Sequence, residues 1–153
     1  FLLFGIGRGG SPLIMAVNLI KLCVGIESVE HLIEARKKDP RNKVLDYNFH
    51  ITHFRPKRAS EVLDGGSLYW VIKGYVLARQ KIIGLDEVKT DKGKKCMIKM
   101  DKEIHLTESQ PRRAFQGWRY LEASAAPSDL PKGSAIAEIP AELRNELKEL
   151  GLI

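Results

Sequence analysis

The run Ser67–Gly74, SLYWVIKG, is the densest strand signal in the chain, and the segments after it leave little freedom of fold. The next stretch, YVLARQKIIGLDEVK (75–89), continues as extended structure with bends available at Gly74 or Gly84. TDKGKK (90–95) has the composition of a hairpin turn, and KCMIKMD (95–101) pairs back from it. Strands joined by turns alone, with no crossover helix between them, must pair antiparallel. A doubly wound parallel sheet is therefore disfavoured.

The flanking segments complete an α+β pattern. VNLIKLCV (17–24) reads as a buried first strand. Ser28 is placed to N-cap a helix over 28–38, in which Val29, Leu32, Ile33 and Arg36 share one face and after which Pro40 stops it. VLDYNFHITHF (44–54) alternates as a second strand. PKRASEVLD (56–64) forms a short helix with Pro56 in its first turn and Gly65-Gly66 at its end. Beyond the central strands come EIHLTE, an arginine-rich loop SQPRRAFQG, and a last short strand WRYLEA. The expected fold is α+β: a small, mostly antiparallel, barrel-like sheet with two short helices in the first half and a C-terminal helix.

This pattern divides the chain into four segments. Residues 1–14 read as a non-domain leader upstream of a start at Met15; 15–124 form a single domain, 125–139 a linker, and 140–151 a C-terminal helix. Leu143, Leu147 and Leu150 make an apolar stripe expected to pack that helix on the domain. The leader is too short to span a bilayer, which takes about 20 apolar residues. Gly5, Gly7 and Gly10 imitate a dinucleotide-binding fingerprint, with Glu27 and Glu30 downstream. The residues after Gly10 contain Pro12 and then a strand-like MAVNLIKLCVG, where that fingerprint needs a phosphate-capping helix.

The chain of 153 residues carries a formal charge of +6 and a pI near 9.4. Such an excess suits a polyanionic partner. Cys23 and Cys96 have no neighbours at metal-ligand spacing and read as reduced, apolar thiols, which points to a cytoplasmic protein; no membrane contact and no cofactor are expected.

EVLDGGSLYWVIKG (61–74), ARQKI (78–82) and PRRAFQGWRYL (111–121) resemble an uncharacterised family of unknown function from alphaproteobacteria. The resemblance runs from about Met15 to about Leu130 and implies no activity. More loosely, RPKRASEVLDGGSLYWVIKG resembles the helix-to-strand layout of PUA, ASCH and EVE domains, compact barrels that often bind RNA or a modified base; this is analogy at the level of fold.

Two constellations carry candidate chemistry. In the first, Arg55, Lys57, Arg58, Arg79, Arg112, Arg113 and Arg119 supply phosphate contacts, since a guanidinium donates paired, charge-assisted hydrogen bonds. Tyr69, Trp70, Phe115 and Trp118 supply a base pocket. In the second, His50-Ile51-Thr52 and His105-Leu106-Thr107 are paired H-x-T tripeptides resembling those of two-histidine phosphoesterases, where one imidazole activates the nucleophile and the other protonates the leaving oxygen. Metal binding by His50 and His53 is disfavoured because i and i+3 face opposite sides of a strand. Ser67 lies at a helix-to-strand turn, the reverse of a nucleophile elbow. The favoured reading is a non-enzymatic module binding RNA or another phosphate-bearing ligand. The alternatives are a phosphodiesterase using His50, Thr52, His105 and Thr107, and an assembly factor whose terminal leucine stripe holds a partner helix.

Overall fold

The computed structural model describes residues 16–131 and 140–151. The expected leader, its glycine fingerprint and most of the expected linker lie outside them. In chain order the elements are β1 (Val17–Leu22), α1 (Val29–Lys38), α2 (Pro40–Val44), β2 (Asn48–Thr52), α3 (Ala59–Leu63), β3 (Ser67–Ile72), β4 (Tyr75–Thr90), β5 (Gly93–Met100), β6 (His105–Pro111), β7 (Trp118–Glu122) and α4 (Ala141–Glu149).

The seven strands form one sheet in the order β2-β5-β4-β3-β1-β7, with β6 added to β4. All pairings are antiparallel except β1 with β3, which α1, α2, β2 and α3 separate in the chain. The long strand β4 is the spine. Its first half pairs with β3 and β6, and its second half pairs with β5 after a register shift between Ile82 and Gly84. The α+β class and the antiparallel character agree with expectation; the barrel-like closure does not. Because β6 takes the edge of β4 opposite β3, the sheet branches there, and the terminal strands β2 and β7 are left unpaired with each other.

The main core lies between one face of the sheet and helices α1 and α3, joining Val29, Leu32, Ala59 and Val62 to Leu19, Leu68, Ile72, Ile82, Ile98 and Met100. A smaller cluster on the opposite face contains Ile20, Tyr69, Val71, Val76 and Leu121. Gly66 makes the α3-to-β3 junction possible. A Cβ there would stand 2.3 Å from the Val17 carbonyl oxygen and 2.5 Å from that of Val62, which no side chain tolerates.

Several local readings change. Pro40 ends α1 and also starts the short helix α2, as a first-turn proline can, with the Asp39 side chain accepting from the Arg41 N–H. The arginine-rich loop begins later than expected, because Ser109, Gln110 and Pro111 belong to β6. Ser128 and Leu130, in the expected linker, are held to that strand: the Glu108 N–H donates to the Ser128 carbonyl and the Leu130 N–H to that of Leu106. The terminal leucines do not form the packed stripe. Leu143 and Leu150 are exposed and Leu147 is half-buried, while α4 lies beside β6 with Arg144 buried.

Candidate anion-binding pocket

Strand alternation places Leu19 and Lys21 of β1 on the face covered by helices, and the parallel register sets Lys21 beside Trp70 of β3. On α1 the apolar face formed by Val29, Leu32 and Ile33 continues into Arg36, so this guanidinium is carried against the sheet rather than into solvent. A charge so placed needs hydrogen bonds. Gln80, fully buried on β4, provides one: its Oε1 accepts from Arg36 Nη2 at 3.0 Å and from Trp70 Nε1 at 3.1 Å. The Gln80 Nε2 donates at 2.8 Å to both Asn48 Oδ1 and the Asp101 carbonyl, which fixes the amide's orientation. The guanidinium carbon of Arg36 lies 5.8 Å from the centre of a Trp70 ring. Arg36 Nε is buried with no partner among the described residues.

Above this network opens a concavity of about 230 Å³, lined by residues of β1, of α1 and of the loop between them (Cys23 included), together with Asp39, His50 and Trp70. His50 stands edge-on to Trp70, with ring centroids 6.3 Å apart and planes at 89°. Burial, assisted by the positive charges of Lys21 and Arg36, pulls the His50 pKa down to about 4. Its imidazole is therefore neutral at pH 7. Burial also pushes the Cys23 thiol up to about 11, so Cys23 stays protonated and is not a nucleophile. Asp39 is the only acid in the lining among the described residues. Arg41 already engages it through Nε–Oδ1 at 3.0 Å and Nη2–Oδ2 at 2.7 Å, holding its pKa near 2. Lys21 has no carboxylate partner among the described residues. The pocket thus presents two fixed positive charges and a neutral imidazole, with no free counter-charge.

The arginines singled out in the sequence are not gathered on one face. Arg58 is held by Glu61 at 2.9 Å and Glu122 at 3.0 Å, over the Tyr120 ring. Arg79 forms a fork with Asp129, at 2.8 and 2.6 Å, and donates to Ser67 Oγ. Arg112 donates to Gln110 Oε1 and Arg55 to the Leu85 carbonyl, while Arg119 lies over the Phe115 ring. Lys57 and Arg113 are exposed. Of the aromatic residues, Tyr69 and Trp70 are buried, Phe115 packs against the smaller cluster, and half-buried Trp118 donates from its indole to the Phe54 carbonyl at 3.1 Å.

The two H-x-T motifs do not meet. His50 lines the pocket beside Trp70, whereas His105 is paired in register with Arg79 and stands 3.9 Å from Glu103. Thr107 is fully buried, and its hydroxyl donates to the Glu108 carbonyl at 3.0 Å. Thr52 lies opposite Cys96 at the sheet edge. Sequence reasoning found His50 and Trp70 but missed Lys21 and Arg36. The signal for Arg36 was present: a charged residue continuing the apolar face of α1. The signal for Lys21 was its place in an otherwise apolar strand.

An open, branched α+β sheet with a basic pocket under its first helix defines the class of molecule. The chain belongs to the family described as protein of unknown function (DUF1489), whose model matches residues 19–153 and so takes in the C-terminal helix as well as the strands. No curated protein and no solved structure matches it. Among the described residues no helix is long and apolar enough to cross a membrane, and no group of three or more His, Cys, Asp or Glu side chains is placed to hold a metal ion.

Proposed function

We propose that the protein is a binding module for a phosphate-bearing ligand, held in the pocket formed by Lys21, Arg36 and His50. One observation carries this reading: two cationic side chains and an imidazole converge on a concavity whose single acid is already neutralised by Arg41. An anion entering there gains attraction in partly desolvated surroundings and finds Lys21 without a carboxylate partner among the described residues. A neutral His50 contributes a ring N–H donor, and it takes up a proton more readily once an anion offsets Lys21 and Arg36. RNA is one carrier of such a phosphate. The arginines are dispersed, and Arg58 and Arg79 are ion-paired, which favours a local contact over a long electrostatic track.

The test is titration with labelled single- and double-stranded RNA and DNA and with small phosphorylated compounds, each at two salt concentrations. Binding is expected to weaken with salt, because cation–phosphate contacts displace counterions. Lys21→Ala is expected to weaken it about 10- to 100-fold, the worth of one hydrogen bond to a charged group. Wild-type affinity in a Lys21→Ala/Arg36→Met double variant would remove the pocket from consideration.

A further inference from the structure

A concavity of about 230 Å³ is smaller than the roughly 300–1,000 Å³ of sites that enclose a drug-sized ligand. It has room for a phosphate group, and the remainder of the molecule must lie outside it. The sheet register indicates what awaits there. Lys21 pairs with Trp70 on one side and, through β7, with Trp118 on the other, so the three side chains form one row across the sheet. Trp118 is half-buried, and its one polar atom is already used on the Phe54 carbonyl, which leaves ring surface. Tyr120 buttresses it edge-on at 4.9 Å between centroids. Phe54 itself is 77% exposed, and His53 is its one ring neighbour among the described residues, at 6.2 Å. Phe54, whose carbonyl holds the Trp118 end of that row, thus presents apolar surface with little packing among the described residues.

We infer that the ligand is a nucleotide unit with a terminal phosphomonoester: the phosphate enters the Lys21–Arg36–His50 pocket and the base lies against Phe54 and Trp118. This rests on the proposed phosphate site and adds the ligand's class. Base stacking on aromatic side chains tolerates any base and is worth on the order of tenfold or more in affinity per base. Arg55 and Lys57 follow Phe54 on the same loop and are exposed.

The experiment is calorimetric titration of the full chain with inorganic phosphate, ribose 5-phosphate and adenosine 5′-monophosphate, repeated with the Phe54→Ala variant. The nucleotide is expected to bind about tenfold or more tightly than ribose 5-phosphate, and Phe54→Ala to bring the two together. Because Phe54 is exposed, the variant should keep the wild-type circular dichroism and melting temperature, a check on folding. Equal affinity for the nucleotide and ribose 5-phosphate in the wild type would overturn the inference while leaving the phosphate site standing. Failure of all three ligands would overturn both. Short single-stranded oligonucleotides with and without a 5′-phosphate separate the sources. Tighter binding of the phosphorylated strand than of the mononucleotide assigns the unit to a strand end, and weaker binding assigns it to a free nucleotide. A 5′-hydroxyl strand binding as well as its phosphorylated counterpart would refute the terminal phosphate.

Discussion

Two concavities among the described residues each hold an arginine beside an aromatic residue, and they differ in what answers its charge. One, of about 350 Å³, lies between β3, β4 and the segment around Asp129, and contains Arg79 beside Tyr69. The other contains Arg36 beside Trp70. Each sets an arginine against an aromatic residue on adjacent strands or a covering helix. In the first, the guanidinium is matched by the bidentate Asp129 carboxylate. In the second, it has a neutral amide, a ring face and a second cation for company. Charge matched within the fold serves stability; charge left unmatched next to a cavity raises the energy of the empty protein and lowers that of an anion complex. The same residue type thus reads as a strut at one place and as a receptor at the other.

The largest test of this contrast is Gln80→Leu. It strips partners from Arg36, Trp70, Asn48 and the Asp101 carbonyl at once, and each buried polar group left unpaired costs about 1–3 kcal/mol. Unfolding free energy measured in urea should fall by about 3–5 kcal/mol. A loss below about 1 kcal/mol would mean that the network does not hold the pocket together.

Next comes acid. His50 titrates near 6.5 when unfolded and about 4 when folded, so between those values the unfolded chain binds more protons. The stabilising effect of a neutral His50 is complete above pH 6.5, drains away as pH falls towards 4, and changes no further below that. The ceiling is about 1.4 kcal/mol per pKa unit, and screening by solvent at the partly exposed ring brings the expected loss to about 1–2 kcal/mol. Asp129 behaves differently. Its carboxyl is held below the ordinary range by hydrogen bonding to Arg79, so its contribution is lost only under stronger acid, as pH falls from the unfolded carboxyl value through the lower folded one. The two pockets should therefore fail in separate pH windows, and His50→Gln should erase the first window alone.

Two substitutions then compare the arginines directly. Asp129→Ala leaves Arg79, with a side chain 21% exposed, unpaired, and should lower stability by about 1–3 kcal/mol. Arg36→Met removes a desolvated cation that has no carboxylate in ion-pair contact among the described residues and keeps most of its volume. Stability should move by less than about 1 kcal/mol in either direction, while phosphate affinity falls sharply. Chemical denaturation of both variants settles which arginine is structural; the reverse order would invert the assignment.

Much of the fold was legible because local rules sufficed. Ser28 caps α1 as expected, its hydroxyl accepting from the His31 N–H. The run from Ser67 to Met100 makes the antiparallel β3-β4-β5 meander that its turns imply. The placement of β6 was not legible: whether a strand closes a barrel or branches from a spine depends on which edge of β4 is free, a tertiary matter. The site was half legible for a similar reason. Arginine-rich stretches mark charge, but Glu122 and Asp129 reach Arg58 and Arg79 from segments far along the chain and, with Glu61 one helical turn from Arg58, cancel it. Lys21 stands alone in an apolar strand and Arg36 is hidden in the basic last turn of α1, and only the packing of α1 on β1 and β3 brings them together. The terminal leucine stripe is covered only in part, at half-buried Leu147, because periodicity names a face without naming what covers it; Arg144 is more deeply buried than any of the three leucines.

The shared bond at Gln80 has a spectroscopic consequence. Trp70 and Trp118 are the chain's two tryptophans, and both indole N–H groups are committed, one to the amide oxygen that also holds Arg36 and the other to the Phe54 carbonyl. A proton–nitrogen correlation spectrum should therefore hold two indole resonances that watch different ends of one surface. Pulling on Arg36 alters the oxygen that Trp70 leans on, and moving Phe54 alters the carbonyl seen by Trp118. The protein carries its own pair of reporters, without an added label, for whatever comes to rest between them.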